Sequence, residues 1–228
     1  MTQPLSDLTA QLLDLARKAG ADQADAIAVE GTSVSIDVRA GALEQAERSE
    51  GVDIGLRVLI GQRQANVSSS DTKPDTLRQM VERAIAMAKE APEDPYAGLA
   101  DVAQLAKSTD NSALELFDPS EEPDPAALQE DAARAEAAAL ENKGISQVQS
   151  ASAGYNKSRV HLSASNGFSA GYARTSRGLS CVAISGTGTG MERDYDYDSR
   201  IFQSELRDAA DIATHDRPRL VRAYPAEK

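Results

Sequence analysis

The sequence predicts an α+β fold: two tandem helix–antiparallel meander–helix repeats, forming curled sheets packed by helices. Three observations predict it. In the stretch Arg159 to Arg200, Val160, Leu162 and Ala164 alternate with His161, Ser163 and Ser165, the period-2 pattern of a half-buried strand. Asn166-Gly167 follows as a hairpin signal, because both central residues of a type I′ turn need positive φ, and Gly178 and Gly186-Thr-Gly188-Thr-Gly190 punctuate the later strands. The same design occurs earlier: Val34, Ile36, Val38 and Gly41 precede Val160, Leu162, Ala164 and Gly167 by 126 residues, and Gly51 and Gly61 precede Gly178 and Gly188 by 127. Helical periodicity flanks each meander, which is read as about four strands.

Taken in order, Ser6 is placed to cap a helix with Leu8, Leu12, Leu15, Ala16 and Ala19 on one face, ending at Gly20. Ala24 to Val38 switches to strand chemistry, and the first meander runs through Ser70; its second strand, Ala42 to Ser49, is polar and reads as wet on one face. Lys73-Pro74 opens a helix with Pro at its first position and an apolar stripe of Leu77, Met80, Val81, Ala84, Ile85 and Ala88, stopped by Pro92. Between Pro92 and Pro125 lie five of the nine prolines and nine acidic residues against one Lys, the mark of a connector. Its Tyr96, Leu99, Val102, Leu105, Leu114, Leu116 and Phe117 predict that it docks instead of floating free. Asp124-Pro125 starts an alanine-rich helix over 126–142 closed by Gly144, and a last helix begins near Ser204 with Leu206, Ala209, Ala210 and Ile212. The organisation is therefore a first repeat over 1–91, an acidic connector over 92–123, a second repeat over 124–212 and an atypical tail over 213–228, where Asp216-Arg-Pro218 and Tyr224-Pro225 break helical period.

Composition narrows the function. No run approaches the roughly 18 apolar residues that span a bilayer, no export signal opens the chain, and the single cysteine suits a reducing compartment, so a cytoplasmic protein is expected. A net charge of −12 and the lack of a basic run argue against direct nucleic-acid binding, since affinity there comes from neutralising phosphates.

The candidate chemistry is thin. Zinc hydrolysis needs three protein ligands and an open position, whereas this chain has His161 and His215 alone, 54 residues apart, with no H-E-x-x-H. Asp194, Asp196, Asp198 and Glu205 take positions one, three, five and twelve of an EF-hand-like calcium loop with Ile201 at eight, but the turn glycine at six is Ser199 and no helix enters it. The competing reading is a strand with the aspartates on one face and Tyr195 and Tyr197 on the other. Cys181, between apolar strand neighbours, reads as a buried side chain, and no G-x-S-x-G elbow exists. The G-T-G-T-G run lacks phosphate-loop spacing and reads as backbone that turns or passes close to something. No catalytic, cofactor-binding or metal residue is assigned.

The motifs A-D-Q-A-D-A, V-D-I-G-L-R-V at Val52 to Val58, E-D-P-Y-A-G-L-A at Glu93 to Ala100 and M-E-R-D-Y-D-Y at Met191 to Tyr197 resemble, in order and spacing, the N-terminal half of the TldD/PmbA family on the PmbA (TldE) side, often named modulators of DNA gyrase. The resemblance covers roughly Leu5 to Ile212. It implies a cytoplasmic hetero-oligomer in which a TldD-like subunit supplies an H-E-x-x-x-H zinc site and cleaves extended peptides, while the PmbA-like partner lacks those ligands. This chain is then a non-catalytic subunit holding no cofactor, with zinc expected in a TldD-like partner. Its departure from the family over 213–228 and the missing second half read as a truncated or frame-shifted frame, or a separate fragment. The alternatives are a non-enzymatic acidic interaction module and, less favoured, a calcium-binding protein.

Overall fold

The computed structural model describes residues 3–214. In chain order it holds α1 (Leu5–Lys18), β1 (Gln23–Arg39), β2 (Ala42–Ile60), β3 (Arg63–Ser69) and α2 (Pro74–Glu90), then α3 (Pro125–Leu140), β4 (Ile145–Ala164), β5 (Ser169–Ser185), β6 (Glu192–Arg200) and α4 (Ala209–Thr214). Helix, three strands, helix thus occurs twice. All six strands share one sheet, ordered β3-β2-β1-β4-β5-β6, with β2–β3 and β5–β6 antiparallel. Each meander has three strands, not four, because Gly51 and Gly178 lie inside the long strands β2 and β5. Gly178 pairs with Ser199 across the ladder, and neither glycine takes a positive φ.

The described residues form two compact units, 3–31 with 50–114 and 158–173, and 32–49 with 115–157 and 174–214. The first is cored by Leu8, Leu12 and Ala16 of α1, alternate residues Ala24, Ala26, Ala28 of β1 and Ile54, Leu56, Val58 of β2, and the whole predicted stripe of α2. Each large aliphatic side chain so buried contributes roughly 1.5–3 kcal/mol relative to exposure. The second is cored by Val34, Ile36 and Val38 of β1, Leu128, Ala132, Ala135 and Ala139 of α3, Val148, Ala151 and Ala153 of β4, Leu179 and Cys181 of β5, and Ala209 and Ile212 of α4. Alanines dominate α3 because small side chains let the helix sit close to its strands.

Several sequence expectations need correction. Ser6 lies inside α1; the cap position is Pro4, with no side-chain cap bond. The last helix starts at Ala209, not near Ser204, because 203–205 forms a separate 3₁₀ turn ending at Leu206, whose φ −66 and ψ 135 are extended. The polar start of β2 is exposed on both faces from Ala42 to Gly51, not on one. The type I′ turn falls at Ala40-Gly41, where φ is 52° and 73°. At Asn166-Gly167 only Gly167 is left-handed, and the Ala164 carbonyl accepts from the Gly167 amide, a longer three-residue loop.

That loop difference reverses a face. Ala26 and Ala28 correspond to Ala151 and Ala153 as core positions, one residue off the 126 spacing, so Val160, Leu162 and Ala164 turn away from α1 while His161 and Ser163 turn toward it. Leu162 is 37% exposed and Ser163 5%. A one-residue register shift moves every side chain to the opposite face.

The connector is tied down by hydrogen bonds. Leu99 N–H donates to Gln23 Oε1, Asn111 Nδ2 to the Gly171 carbonyl, and Thr175 N–H to the Leu116 carbonyl. Of the apolar residues expected to dock it, Tyr96, Val102 and Leu114 instead remain more than 60% exposed. No helix among the described residues is long and apolar enough to cross a membrane.

Candidate functional site

Within the first unit a cleft of about 760 Å³ opens between the second half of α1, the start of β1, the connector at Leu99–Val102 and the β4–β5 turn. Local chemistry builds each wall. Gly20, at φ 95°, ends α1 and reverses the chain into β1. Asp22 fixes that reversal: its N–H donates to the Leu59 carbonyl at 2.9 Å and its carboxylate accepts from Gly61 N–H at 2.7 Å. Asn166 reaches across to donate to the Ala100 carbonyl at 2.9 Å, and Asp101 caps the turn after it by accepting from Ala103 N–H at 2.9 Å. The conformation of E-D-P-Y-A-G-L-A therefore shapes one wall, a role its sequence alone did not disclose.

The polar groups lining the cleft are largely engaged. Asp14 bonds Lys18 and Arg17, which hold its carboxyl below the usual carboxylate range. Ser165 Oγ accepts from Ala24 N–H at 3.0 Å. Leu13, Ala21, Ala24, Leu99 and Val102 supply apolar surface. The volume and this mixture suit a bound organic ligand.

The residues singled out in the sequence lie elsewhere. His161 faces α1, its Nδ1 3.0 Å from Thr9 Oγ1 and its Nε2 3.4 Å from Ser169 Oγ. Thr9, fully buried, donates to the Ser6 carbonyl at 3.0 Å, so its oxygen is left to accept from the histidine and from Ser163. The cluster is a hydroxyl–imidazole clasp between α1 and β4, in which hydroxyls are the ring's hydrogen-bond partners among the described residues. His215 lies outside the described residues. Cys181 is buried, and burial pushes its thiol up to about 11. Gly186 and Gly188 take φ of 73° and 57°, and a Cβ on Gly186 would overlap the Gly190 carbonyl, as expected of backbone in close approach.

The calcium-loop aspartates stand on the extended strand β6, not in a turn. Arg207 occupies the place of a cation: Nη1 and Nη2 bond Asp196 at 2.9 and 3.0 Å. Asp198, 5% exposed, accepts from Arg207 N–H at 3.0 Å and pairs with Arg200 at 2.9 Å. Tyr195 and Tyr197 project from the other face, rings 6.3 Å apart and stacked at 21°. Among the described residues no group of three His, Cys, Asp or Glu side chains is arranged to hold a metal ion.

Comparison with known proteins places this architecture. Residues 24–88 match the PmbA/TldA metallopeptidase domain 1, and 118–216 the PmbA/TldA metallopeptidase central domain. The chain is 33% identical over 205 residues, 89% of its length, to Metalloprotease PmbA of Escherichia coli O157:H7, and 31% identical over 196 residues, 86% of its length, to the Metalloprotease PmbA homolog of Haemophilus influenzae. It spans 44% and 43% of those two proteins, less than half of each. In fold it is similar to a protein described as a modulator of DNA gyrase from Bacteroides thetaiotaomicron (TM-score 0.88, 21% identity, 97% of this chain and 50% of that one). It is also similar to TldE from Thermococcus kodakarensis (TM-score 0.75, 17% identity, 92% of this chain and 46% of that one). A doubled helix–meander–helix chain whose two halves carry the family's first and central domains belongs to the PmbA/TldE family.

Proposed function

We propose that this chain is the PmbA/TldE-like part of a cytoplasmic TldD/TldE-type zinc metallopeptidase complex acting on extended peptides. In it the zinc resides in a TldD-like partner and this chain is non-catalytic. The observation that carries the reading is the 33% identity to Metalloprotease PmbA across nearly the whole chain. Its division of labour is supported by the sequence: the two histidines stand 54 residues apart and no H-E-x-x-H motif brings them together with a carboxylate. The contribution of this chain is then a surface. The cleft beside Leu99–Val102, with its mixed lining and its polar side chains largely engaged, receives a peptide segment.

The test is reconstitution. The purified chain is assayed for zinc by elemental analysis and for cleavage of an unstructured peptide, alone and with a TldD-like subunit. The expected result is no stoichiometric zinc and no cleavage alone, with co-purification and cleavage in the presence of the partner. One zinc per chain together with cleavage by the chain alone would overturn the proposal.

A further inference from the structure

Among the described residues β6 closes one end of the sheet: β5 lies on one side of it, and the strand order holds no described strand beyond. An end strand presents unpaired N–H and C=O groups on its outer side and invites another extended chain to pair. Here three of those groups are taken. Asp194 Oδ1 accepts from Tyr195 N–H at 2.9 Å, and Asp196 Oδ1 accepts from Tyr197 N–H at 2.7 Å. The carbonyl of Tyr197 accepts from Arg207 Nη2 at 2.8 Å, and the same guanidinium holds Asp196 through both of its terminal nitrogens. At Tyr197, therefore, a carboxylate stands where an incoming strand would place its carbonyl, and a guanidinium where it would place its amide.

We propose that Asp194, Asp196 and Arg207 form a plug that holds the β6 edge shut against pairing with a second copy of this chain. The second copy is the occupant because the ends and the tyrosines of the strand are self-complementary. With a two-fold axis through Asp196, antiparallel β6 strands set Glu192 opposite Arg200 and Tyr195 opposite Tyr197. Tyr195 and Tyr197, both over 60% exposed, would then meet their counterparts across the axis. The same register sets Asp194 against Asp198 and Asp196 against itself, like charges directly opposed, so the acidic row is a second guard. The plug is a local device: it draws its acceptors from the strand's own aspartates and its donor from an arginine seven residues past the strand's end.

The test is hydrogen exchange at the Tyr195 and Tyr197 amides, read from micromolar to near-millimolar protein. Other modes of self-association leave this local readout unmoved. In the wild-type chain the exchange is expected to be independent of concentration. In the triple variant Asp194→Ala, Asp196→Ala, Arg207→Ala it should slow by at least about tenfold as concentration rises, the protection of a newly formed ladder. Adding Tyr197→Pro, which removes the donor and cannot enter a ladder, should abolish the slowing. Should the triple variant lose its native circular dichroism, Asp196→Asn with Arg207→Gln keeps the side-chain volumes, removes the ion pair and is read in the same way. Concentration-independent exchange in a folded unplugged variant, or concentration-dependent protection already present in the wild type, overturns the proposal.

Discussion

Glu136 offers the sharpest test of how the fold is held. It is the α3 side chain that the core cannot accept as apolar: 3% exposed, it receives Ala40 N–H at 2.6 Å and Gly41 N–H at 2.8 Å from the β1–β2 turn. Those two amides point the same way because both turn residues are left-handed, which an alanine adopts at a cost of roughly 1 kcal/mol. Glu136→Gln keeps the shape but leaves one acceptor where there were two, and exchanges charge-assisted bonds for a neutral one. Each charge-assisted bond contributes about 1.5–3 kcal/mol. The turn is exposed, so a freed amide regains water, and relief of the buried charge trims the loss further. The expected destabilisation is about 2–3 kcal/mol by urea unfolding, or roughly 4–12 °C in Tm for a chain of this size. Ala40→Gly, which relieves the left-handed alanine while keeping both amides, should stabilise by about 0.5–1 kcal/mol. A Glu136→Gln variant within about 0.5 kcal/mol of wild type would refute the claim that this carboxylate holds the turn.

Two further outcomes follow from the core. Cys181 should react with a thiol reagent at pH 8 only after unfolding, because burial holds the folded thiol protonated up to about 11 against an ordinary value of 9.0. Since the unfolded thiol ionises first, stability is intact below 9 and falls by about 1.4 kcal/mol per pH unit between 9 and 11. Replacing Cys181 by Ala should remove that slope in alkaline unfolding titrations, and a persisting slope of the same size would contradict it. Gly171→Ala places a methyl into the Val160 carbonyl, with His161 Cδ2 3.2 Å away, and should cost about 1–3 kcal/mol while loosening the β4–β5 ladder, seen as faster exchange of its amides. Unchanged exchange there would show that the strands yield more easily than their spacing implies.

The sequence by itself determined the elements with strong local chemistry. The stripe from Leu77 to Ala88 is fully buried as its 3.6-residue spacing requires, and Pro74 and Pro125 open the helices they were expected to open. The doubling and the strand nature of Asp194–Asp198 were both legible, because turn glycines, prolines and alternation act over a few residues. Strand length was not: Gly51 and Gly178 look like turns in isolation, and only the ladder partner across the sheet keeps such a glycine extended. Nor was the face of Val160, Leu162 and Ala164, since a pattern of period two says that residues alternate and leaves to the turn which set points inward.

Long-range pairs were decided by tertiary structure alone. Nothing local announces that Glu136 answers a turn 95 residues earlier, that Thr9 meets His161, or that Arg177, 3% exposed, pairs with Asp131 at 2.7 Å. Such partners are chosen by where the sheet brings the chain together, and the desolvation penalty then favours the arrangements in which buried polar groups find what lies opposite them.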